Sequence, residues 1–228
     1  MIETVFLDLD DTLLDFHRAE AAALRRALTE MDVTPTEEIV SLYSRINDAQ
    51  WKRLERGELT RAEVMHDRFA LFYEALGISR DVRRTMTLYE GYLGQGHYFM
   101  PHAEEVLALL CPRYTLCITS NGTERIQRGR LESAGLARFC RKFFISETIG
   151  YNKPDPRFFD ACFAALPQAR RESTVIIGDS LTSDILGGKN AGIRTCLYNP
   201  REKENKTDIR PDYTISDLRQ LPELLASL

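Results

Sequence analysis

Short, continuously apolar runs alternate with helix-length segments from about residue 97 to the end of the chain. The runs lie at 114–119, 143–145, 174–177, 195–198 and 213–215, and another at 4–7 opens the chain. Strands that are apolar on both faces and alternate with helices are typical of a parallel sheet covered on both sides. The sequence therefore predicts an α/β fold with a doubly wound, Rossmann-like parallel sheet.

The segment between the first strand and the others has a wholly helical pattern. Residues 19–31 carry Ala and Leu at helical spacing, and a second helix runs from about 37 to 55. Thr60 and Glu63 match a capping box that opens a third helix, which ends near Gly77. A fourth helix covers 81–92. We therefore predict an all-helical cap domain at 16–96, inserted into an α/β core formed by 1–15 and 97–228.

Charge and composition narrow the classes of partner. The net charge is −4, and Lys and Arg are mixed with Asp and Glu throughout, which argues against nucleic acid or anionic lipid as a partner.

No apolar run approaches the roughly twenty residues that span a bilayer. The N-terminus enters a strand without a basic and apolar leader. The five cysteines form no CxxC pair, as expected of buried thiols in a reducing compartment. We expect a cytoplasmic monomer or homodimer.

Polar side chains follow four of the predicted strands. In a doubly wound sheet, ligands bind beyond the carboxyl ends of the strands. The candidates are Asp8 and Asp10 after the first strand, Ser120 and Asn121 after the second, Lys153 after the third, and Asp179 and Asp184 after the fourth. Strands lying side by side would bring four carboxylates, one hydroxyl and one ammonium to a common rim.

Each of these segments also has an ordinary structural interpretation. The first acids could form a turn that, with Thr12, caps the next helix. Residues 120–122 could be a helix N-cap and turn, and 178–180 a simple strand-to-helix connection. Lys153 could lie in a solvated loop before a helix that begins at Pro156. Their joint occurrence, in this order and at these strand ends, favours a functional site.

The chemistry of the set points to phosphate. Oxygen ligands alone favour a hard cation, most simply Mg²⁺, and the four histidines are not spaced as ligands beside these loops. The Ser120 hydroxyl, the backbone amides after it from Asn121 onward, and Lys153 could bind phosphate oxygens. An aspartate could attack phosphorus as a nucleophile. A second aspartate, two residues on, could protonate the leaving oxygen and then activate water.

The four segments resemble, in order, the four signature motifs of the haloacid dehalogenase superfamily of phosphohydrolases. The motifs are Asp8-x-Asp10-x-Thr12, then Ser120, then Lys153, and finally Asp179 with Asp184. The resemblance spans the whole chain, and the helical insert resembles the small cap of this superfamily. Such a cap would close over the substrate and recognise its leaving group.

The resemblance implies roles for the acidic residues. Asp8 would be the nucleophile and a Mg²⁺ ligand. Asp10 would be the general acid/base, and its backbone carbonyl would also bind the metal. Asp179 would bind the metal directly, and Asp184 would bind it or orient a metal-bound water.

The resemblance also implies roles for the remaining motif residues. Ser120 would bind phosphate, Lys153 would neutralise Asp8 and the phosphoryl group, and Thr12 would brace the first loop. Dehalogenases of the superfamily lack an acid two residues past the nucleophile, and transport ATPases carry Thr there. Asp10 therefore implies a phosphatase or a phosphomutase.

One branch of the superfamily, the bacterial pyrimidine 5′-nucleotidases, is similar in finer detail. The matching stretches are residues 6–13 with 15–16, 51–60 and 178–185. The branch has Thr-Asn-Gly in its second motif, where this chain has Ser120 in place of the Thr. The resemblance implies a Mg²⁺-dependent phosphomonoesterase that forms an aspartyl-phosphate and acts on nucleoside monophosphates such as UMP, dUMP and dTMP.

Recognition of the leaving group falls to the helical segment, where five residues are candidates. Phe16, Trp51 and Phe72 could stack on a nucleobase, and Asn47 or Arg68 could form hydrogen bonds with it. The aromatic residues could equally fill the core of the helical bundle.

Other functions remain open on the same scaffold. A sugar-phosphate or phosphoglycolate phosphatase would use the same core. A β-phosphomutase would retain a bisphosphorylated intermediate. A non-catalytic binding or regulatory protein would bind a phosphate ligand without hydrolysing it.

Overall fold

A computed structural model describes all 228 residues, which form two compact units. One unit consists of Met1–Asp15 and Tyr98–Leu228, and the other of Phe16–His97. The second boundary lies one residue beyond the predicted 96. The two stretches of the first unit pair where they meet, since the Asp15 amide donates to the Tyr98 carbonyl at 2.7 Å. None of the helices combines the length and apolarity needed to cross a membrane.

The unit Phe16–His97 is built from four helices. They are α1 (Phe16–Glu30), α2 (Glu37–Glu55), α3 (Arg61–Leu76) and α4 (Val82–Leu93). Helix α1 packs against α4, and α2 against α3. The capping box predicted for α3 is present: the Thr60 hydroxyl accepts from the Glu63 amide, and the Glu63 carboxylate accepts from the Thr60 amide.

A buried polar cluster lies inside this helical unit. Asn47 Nδ2 donates to Glu20 Oε1 at 2.7 Å, and Arg68 Nη1 donates to Asn47 Oδ1 at 3.3 Å. All three residues are 2% exposed. Burial raises the pKa of the Glu20 carboxyl, although hydrogen bonds from Ser44 and Asn47 oppose the rise. Ionised Glu20 therefore carries a desolvation penalty in the folded state.

The raised pKa of Glu20 makes the stability of this unit depend on pH. The native state keeps the Glu20 proton to a higher pH than the unfolded chain does, so stability falls as pH rises from about 4.5 through the native pKa. Glu20→Gln keeps the acceptor for Asn47 and removes the ionisation. In urea titrations we expect Glu20→Gln to unfold at the same urea concentration as wild type at pH 4, and at a higher urea concentration than wild type at pH 7.5.

A surface glutamate of the same unit provides the control for this prediction. Glu74 lies exposed on α3, and Glu74→Gln should change the urea midpoint little, because surface substitutions usually alter the free energy of unfolding by less than about 0.5 kcal/mol. A Glu20→Gln protein that is less stable than wild type at pH 7.5 would contradict the prediction.

The other unit contains a six-stranded sheet in which all pairs are parallel, as predicted. The strands are β1 (Thr4–Leu7), β2 (Thr115–Ser120), β3 (Lys142–Ile145), β4 (Thr174–Gly178), β5 (Arg194–Tyr198) and β6 (Tyr213–Ile215). The helices are α5 (Ala103–Leu110), α6 (Glu124–Ser133), α7 (Ser146–Ile149), α8 (Pro156–Ala164), α9 (Leu186–Ala191) and α10 (Leu221–Ala226). The strand order β3-β2-β1-β4-β5-β6 is that of a doubly wound fold.

Strand β1 is buried throughout because both faces of the sheet are covered. Val5 and Leu7 belong to one hydrophobic cluster and Phe6 to a second, separate cluster. Successive side chains point to opposite faces, so a strand between two helical layers needs no polar position.

All five cysteines are free thiols and four are buried, and burial raises the pKa of the Cys117 thiol to about 11.

Candidate active site

The strand order reverses at β1, and this places the first acidic motif at the centre of the sheet edge. The chain steps outward from β1 to β2 and β3, then returns to the other side of β1 with β4. Leu7 pairs with Ile118 of β2 and with Ile177 of β4, so Asp8 emerges between these two strands. The Asp8 amide donates to the Ile177 carbonyl at 2.9 Å. The crevice beyond this point is where doubly wound sheets bind ligands.

The loop after β1 turns back on itself and fixes the Asp8 carboxylate. Asp11 adopts a positive φ of 59°, and its amide donates to the Leu14 carbonyl at 2.7 Å. Aspartate is among the residues that tolerate this backbone region. Thr12 is fully buried, and its hydroxyl donates to Asp8 Oδ2 at 3.2 Å. The hydroxyl of Thr12 is therefore directed at Asp8, which is the bracing contact that the family resemblance implied.

Lys153 lies at the centre of the site and is 1% exposed. Its ammonium donates to Asp8 Oδ1 at 2.7 Å, to Asp184 Oδ1 at 2.6 Å and to the Thr119 carbonyl at 2.7 Å. These three bonds use all three donors of the ammonium group. The alternative interpretation of Lys153 as part of a solvated loop is wrong, because the ammonium lies between two buried carboxylates.

Asn121 holds the Lys153 backbone in place. Its Oδ1 accepts from the Lys153 amide at 2.8 Å, and its Nδ2 donates to the Lys153 carbonyl at 2.7 Å and to Ser183 Oγ at 3.1 Å. The Asn121 side chain thus ties together the segments that follow three different strands. Phosphate binding by Asn121 stays a prediction, and with the side chain engaged in this way it would fall to the backbone amide.

A π-helical turn, Leu181–Ile185, carries Asp184 into the site. Ser180 opens the turn, because its hydroxyl accepts from the Ser183 amide at 3.2 Å and its own amide donates to Asp184 Oδ2 at 3.1 Å. A Cβ atom at Gly178 would overlap the Asp184 side chain, so only glycine permits this close approach. The sequence predicted an ordinary helix from about residue 183. The wider turn instead directs Asp184 back to the ammonium.

Three carboxylates form a candidate cation site. Ligand oxygens of Asp8, Asp179 and Asp184 all lie within 4.8 Å of one another. Burial and the charge of Asp184 raise the pKa of Asp8 to about 8, against the opposing effect of Lys153. Burial and the charges of Asp8 and Asp184 raise the pKa of Asp179 well above its ordinary value.

The donor chemistry of this cluster fits Mg²⁺. The three side chains supply only carboxylate oxygen, which hard divalent cations prefer. One ammonium cannot neutralise three neighbouring carboxylates, and burial together with that excess of negative charge raises the pKa values of Asp8 and Asp179. The cluster joins residues of the first and fourth predicted motifs, and Lys153 of the third motif contacts two of its members.

Ser120 and Asp10 share a contact that the sequence reasoning missed. Gln127 of α6 donates from Nε2 to Ser120 Oγ at 2.7 Å and to Asp10 Oδ2 at 2.6 Å, and Arg130 pairs with Asp10 Oδ1. A sequence signal was available, because Gln127 and Arg130 alternate at helical spacing with Ile126 and Leu131. Two polar residues on the apolar face of a helix indicate a buried polar contact.

The five candidates for leaving-group recognition all lie in the helical unit. Phe72 is fully buried and packs edge-on against Tyr43, so it belongs to the bundle core. Asn47 and Arg68 bond to each other inside the polar cluster. Phe16 and Trp51 are partly exposed. Contact with substrate stays a prediction for these residues.

The match to a family model agrees with the geometry. The model for haloacid dehalogenase-like hydrolases matches residues 2–192. The chain therefore belongs to this family of hydrolytic enzymes. The superfamily predicted from the four motifs is confirmed.

Individual relatives cover nearly the whole chain. It is 37% identical to the HAD-hydrolase YfnB of Bacillus subtilis, over 97% of this chain and 94% of YfnB. The structure of magnesium-bound YfnB matches with a TM-score of 0.93 and 37% identity over 98% of each chain. The pyrimidine 5′-nucleotidase PynA of Streptococcus pneumoniae is 36% identical, over 97% of this chain and 94% of PynA. The pyrimidine 5′-nucleotidase YjjG of Escherichia coli is 30% identical, over 97% of this chain and 96% of YjjG. The similarity extends over both units.

Proposed function

We propose that this HAD-type phosphatase is a Mg²⁺-dependent phosphomonoesterase that acts on pyrimidine nucleoside monophosphates through an aspartyl-phosphate at Asp8. The observation that carries the proposal is the position of the Lys153 ammonium, bonded to Asp8 and Asp184 beside Asp179. A buried cation among three carboxylates at the switch point of a doubly wound sheet is a site for a dianionic group and a metal.

Asp8 is the group best placed to attack phosphorus. Its Oδ1 accepts from Lys153 and its Oδ2 from Thr12, and these two bonds fix the orientation of the carboxylate. In the first step Asp8 forms a bond to phosphorus as the bond to the ribose oxygen breaks. Asp10 gives its proton to that departing oxygen.

The second step releases phosphate. Asp10 takes a proton from a water molecule that attacks the phosphorus of the aspartyl-phosphate, and the bond to Asp8 breaks. Lys153 keeps the charge near Asp8 balanced in both steps, while Ser120 and the backbone amides after it hold phosphate oxygens.

Asp8, Asp179 and Asp184, with the backbone carbonyl of Asp10, would hold Mg²⁺. When bound, the cation supplies charge neutralisation for the carboxylates and the phosphoryl oxygens. The magnesium reported with the YfnB structure supports the assignment of this ion.

The substrate class rests on the named activities of two relatives. PynA and YjjG are pyrimidine 5′-nucleotidases, and both align with almost the entire chain. The aligned region includes the helical unit, which in this proposal selects the leaving group.

Metal removal and a substrate panel test the proposal. We expect release of phosphate from UMP, dUMP and dTMP in Mg²⁺, loss of that activity in excess EDTA, and its return when Mg²⁺ is restored. Ca²⁺ should not replace Mg²⁺, because it prefers more ligands at longer distances. Phosphate release measured by a colorimetric assay is the readout.

Purine monophosphates, phosphoglycolate and hexose phosphates complete the panel. Faster hydrolysis of one of these than of every pyrimidine monophosphate would overturn the substrate class but keep the chemistry. Conversion of a sugar 1-phosphate into its isomer would indicate a mutase. Hydrolysis unaffected by EDTA would overturn the metal dependence.

A further inference from the structure

A buried network on helix α6 joins two residues that the proposed reaction uses. Arg130 is fully buried and forms an ion pair with Asp10 Oδ1. Gln127 is 3% exposed, and its Nε2 donates to Asp10 Oδ2 and to Ser120 Oγ. Arg130 Nη1 also donates to Gln127 Oε1 at 3.1 Å. Both carboxylate oxygens of Asp10 are therefore held by side chains of one helix.

The hydrogen-bonding partners allow only one orientation of the Gln127 amide. A guanidinium only donates, so Oε1 must face Arg130, and Nε2 is left to face Asp10. The reversed amide would set its N–H groups against those of Arg130. Asp10, Gln127 and Arg130 thus form a closed cycle in which each bond orients the next.

The space for this cycle is built into the loop before α6. A Cβ atom at Gly122 would overlap the Gln127 side chain, so the loop leaves room for Gln127 only because residue 122 is glycine. Gln127 and Arg130 lie three residues apart and face the same side of α6. Burying a glutamine and an arginine is costly unless their bonds are made.

We propose that Gln127 and Arg130 are positioning residues for Asp10. They fix the Asp10 carboxylate beside Ser120, the residue assigned to phosphate binding, and so set the distance over which Asp10 transfers its proton. The inference rests on the proposed function, because it assigns Asp10 to protonation of the leaving oxygen. Neither residue needs to touch the substrate.

This positioning role predicts that the loss of kcat/KM in the variants depends on the leaving group of the ester. A nucleoside departs as an alkoxide and needs a proton, whereas p-nitrophenolate departs without one. For both esters, kcat/KM covers the steps up to departure of the leaving group. Misplacing Asp10 should therefore lower kcat/KM for UMP far more than for p-nitrophenyl phosphate.

Two variants remove the bonds with little change in volume. Gln127→Leu removes the amide, and Arg130→Met removes the guanidinium and keeps the aliphatic stem. For each we expect kcat/KM on UMP to fall about 10- to 100-fold and on p-nitrophenyl phosphate by about threefold or less. Arg128→Met is the matched control, since Arg128 lies exposed on the same helix and should change neither value.

A double variant separates positioning from a structural role. In an Asp10→Asn protein, adding Arg130→Met should lower activity on UMP no further, because the residue through which Arg130 acts is already lost. Thermal unfolding of every variant shows whether the protein folds. A folded Arg130→Met protein that loses the same factor on both esters, or that adds its full loss to that of Asp10→Asn, would overturn the inference.

Failure of the inference differs from failure of the proposed function. A wild-type protein that hydrolyses UMP, together with Gln127→Leu and Arg130→Met proteins of unchanged ester preference, overturns the inference alone. A wild-type protein that hydrolyses neither ester in Mg²⁺ overturns the proposed function and the inference with it.

Discussion

Replacing Asp8 with Asn should abolish turnover and leave the protein folded. Asparagine keeps the shape of the side chain but cannot form the acyl-phosphate that the proposed reaction requires. Loss of a catalytic nucleophile commonly lowers kcat by about 10⁴-fold or more, and we expect a loss of that size on UMP. Steady-state phosphate release measures it directly.

The fold should survive because ionisation of the buried Asp8 carboxylate destabilises the native protein. Burial and the charge of Asp184 raise its pKa to about 8, so its ionisation lowers stability increasingly as pH rises from 3.8 to about 8. Asn at position 8 removes that penalty. In EDTA at pH 8.5, thermal unfolding of the variant should therefore begin no earlier than that of wild type.

Chemical trapping distinguishes a nucleophile from a residue that only binds metal. Acid-quenched wild-type enzyme should retain labelled phosphate that hydroxylamine releases, as acyl-phosphates do, and Asp8→Asn should retain none. Asp160→Asn, at an exposed position paired with Arg171, provides the control and should behave as wild type. Turnover by Asp8→Asn within tenfold of wild type would refute Asp8 as the nucleophile.

The fold was predictable because its determinants are local or periodic. Continuous apolar runs such as Thr4–Leu7 are needed only where both faces of a sheet are covered, so they indicate the parallel core directly. The capping box at Thr60 and Glu63 fixes a helix start by a bond between residues three apart. Neither feature depends on distant parts of the chain.

The motif residues were predictable for a different reason. Parallel strands present their carboxyl ends at one edge, so the segments that follow the strands converge there. The rule brings Lys153 to Asp8, although 145 positions separate them, and the π-helical turn then directs Asp184 to the same point. Topology therefore supplies contacts that local pattern cannot.

The features that the sequence did not predict depend on local backbone geometry and on the directions that side chains take in the folded protein. Residue composition does not distinguish an ordinary helix from a π-helical turn, and the wider turn here is accompanied by a bond from the Ser180 amide to Asp184. Gln127 and Arg130 lie inside α6 and not in the loop after β2, so the rule for strand ends does not include them. The burial of Lys153 was likewise hidden by its neighbours Pro154 and Pro156, which suggest an exposed loop.

Replacing Lys153 with Met should destabilise the protein strongly and also remove activity. Methionine fills similar volume, but Asp8 and Asp184 lose their shared cation in a buried position. Breaking a buried ion pair by removing one partner typically costs about 3–5 kcal/mol, and urea titration in EDTA should show a loss of that order at pH 8. Lys189→Met, which breaks a half-exposed pair with Asp212, should cost about 1 kcal/mol or less.

The sign of the pH effect provides a second check on Lys153. Lys153 lowers the pKa of Asp8, so its removal raises that pKa further above 3.8. Ionisation of Asp8 then opposes folding more strongly. The loss of unfolding free energy in Lys153→Met relative to wild type should therefore be larger at pH 9 than at pH 5. Added Mg²⁺ should recover part of the lost stability, because a divalent cation can replace the ammonium as the partner of the carboxylates. A loss of unfolding free energy below about 1 kcal/mol at every pH would lie in the range of exposed ion pairs. It would mean that Lys153 does not stabilise the buried carboxylates.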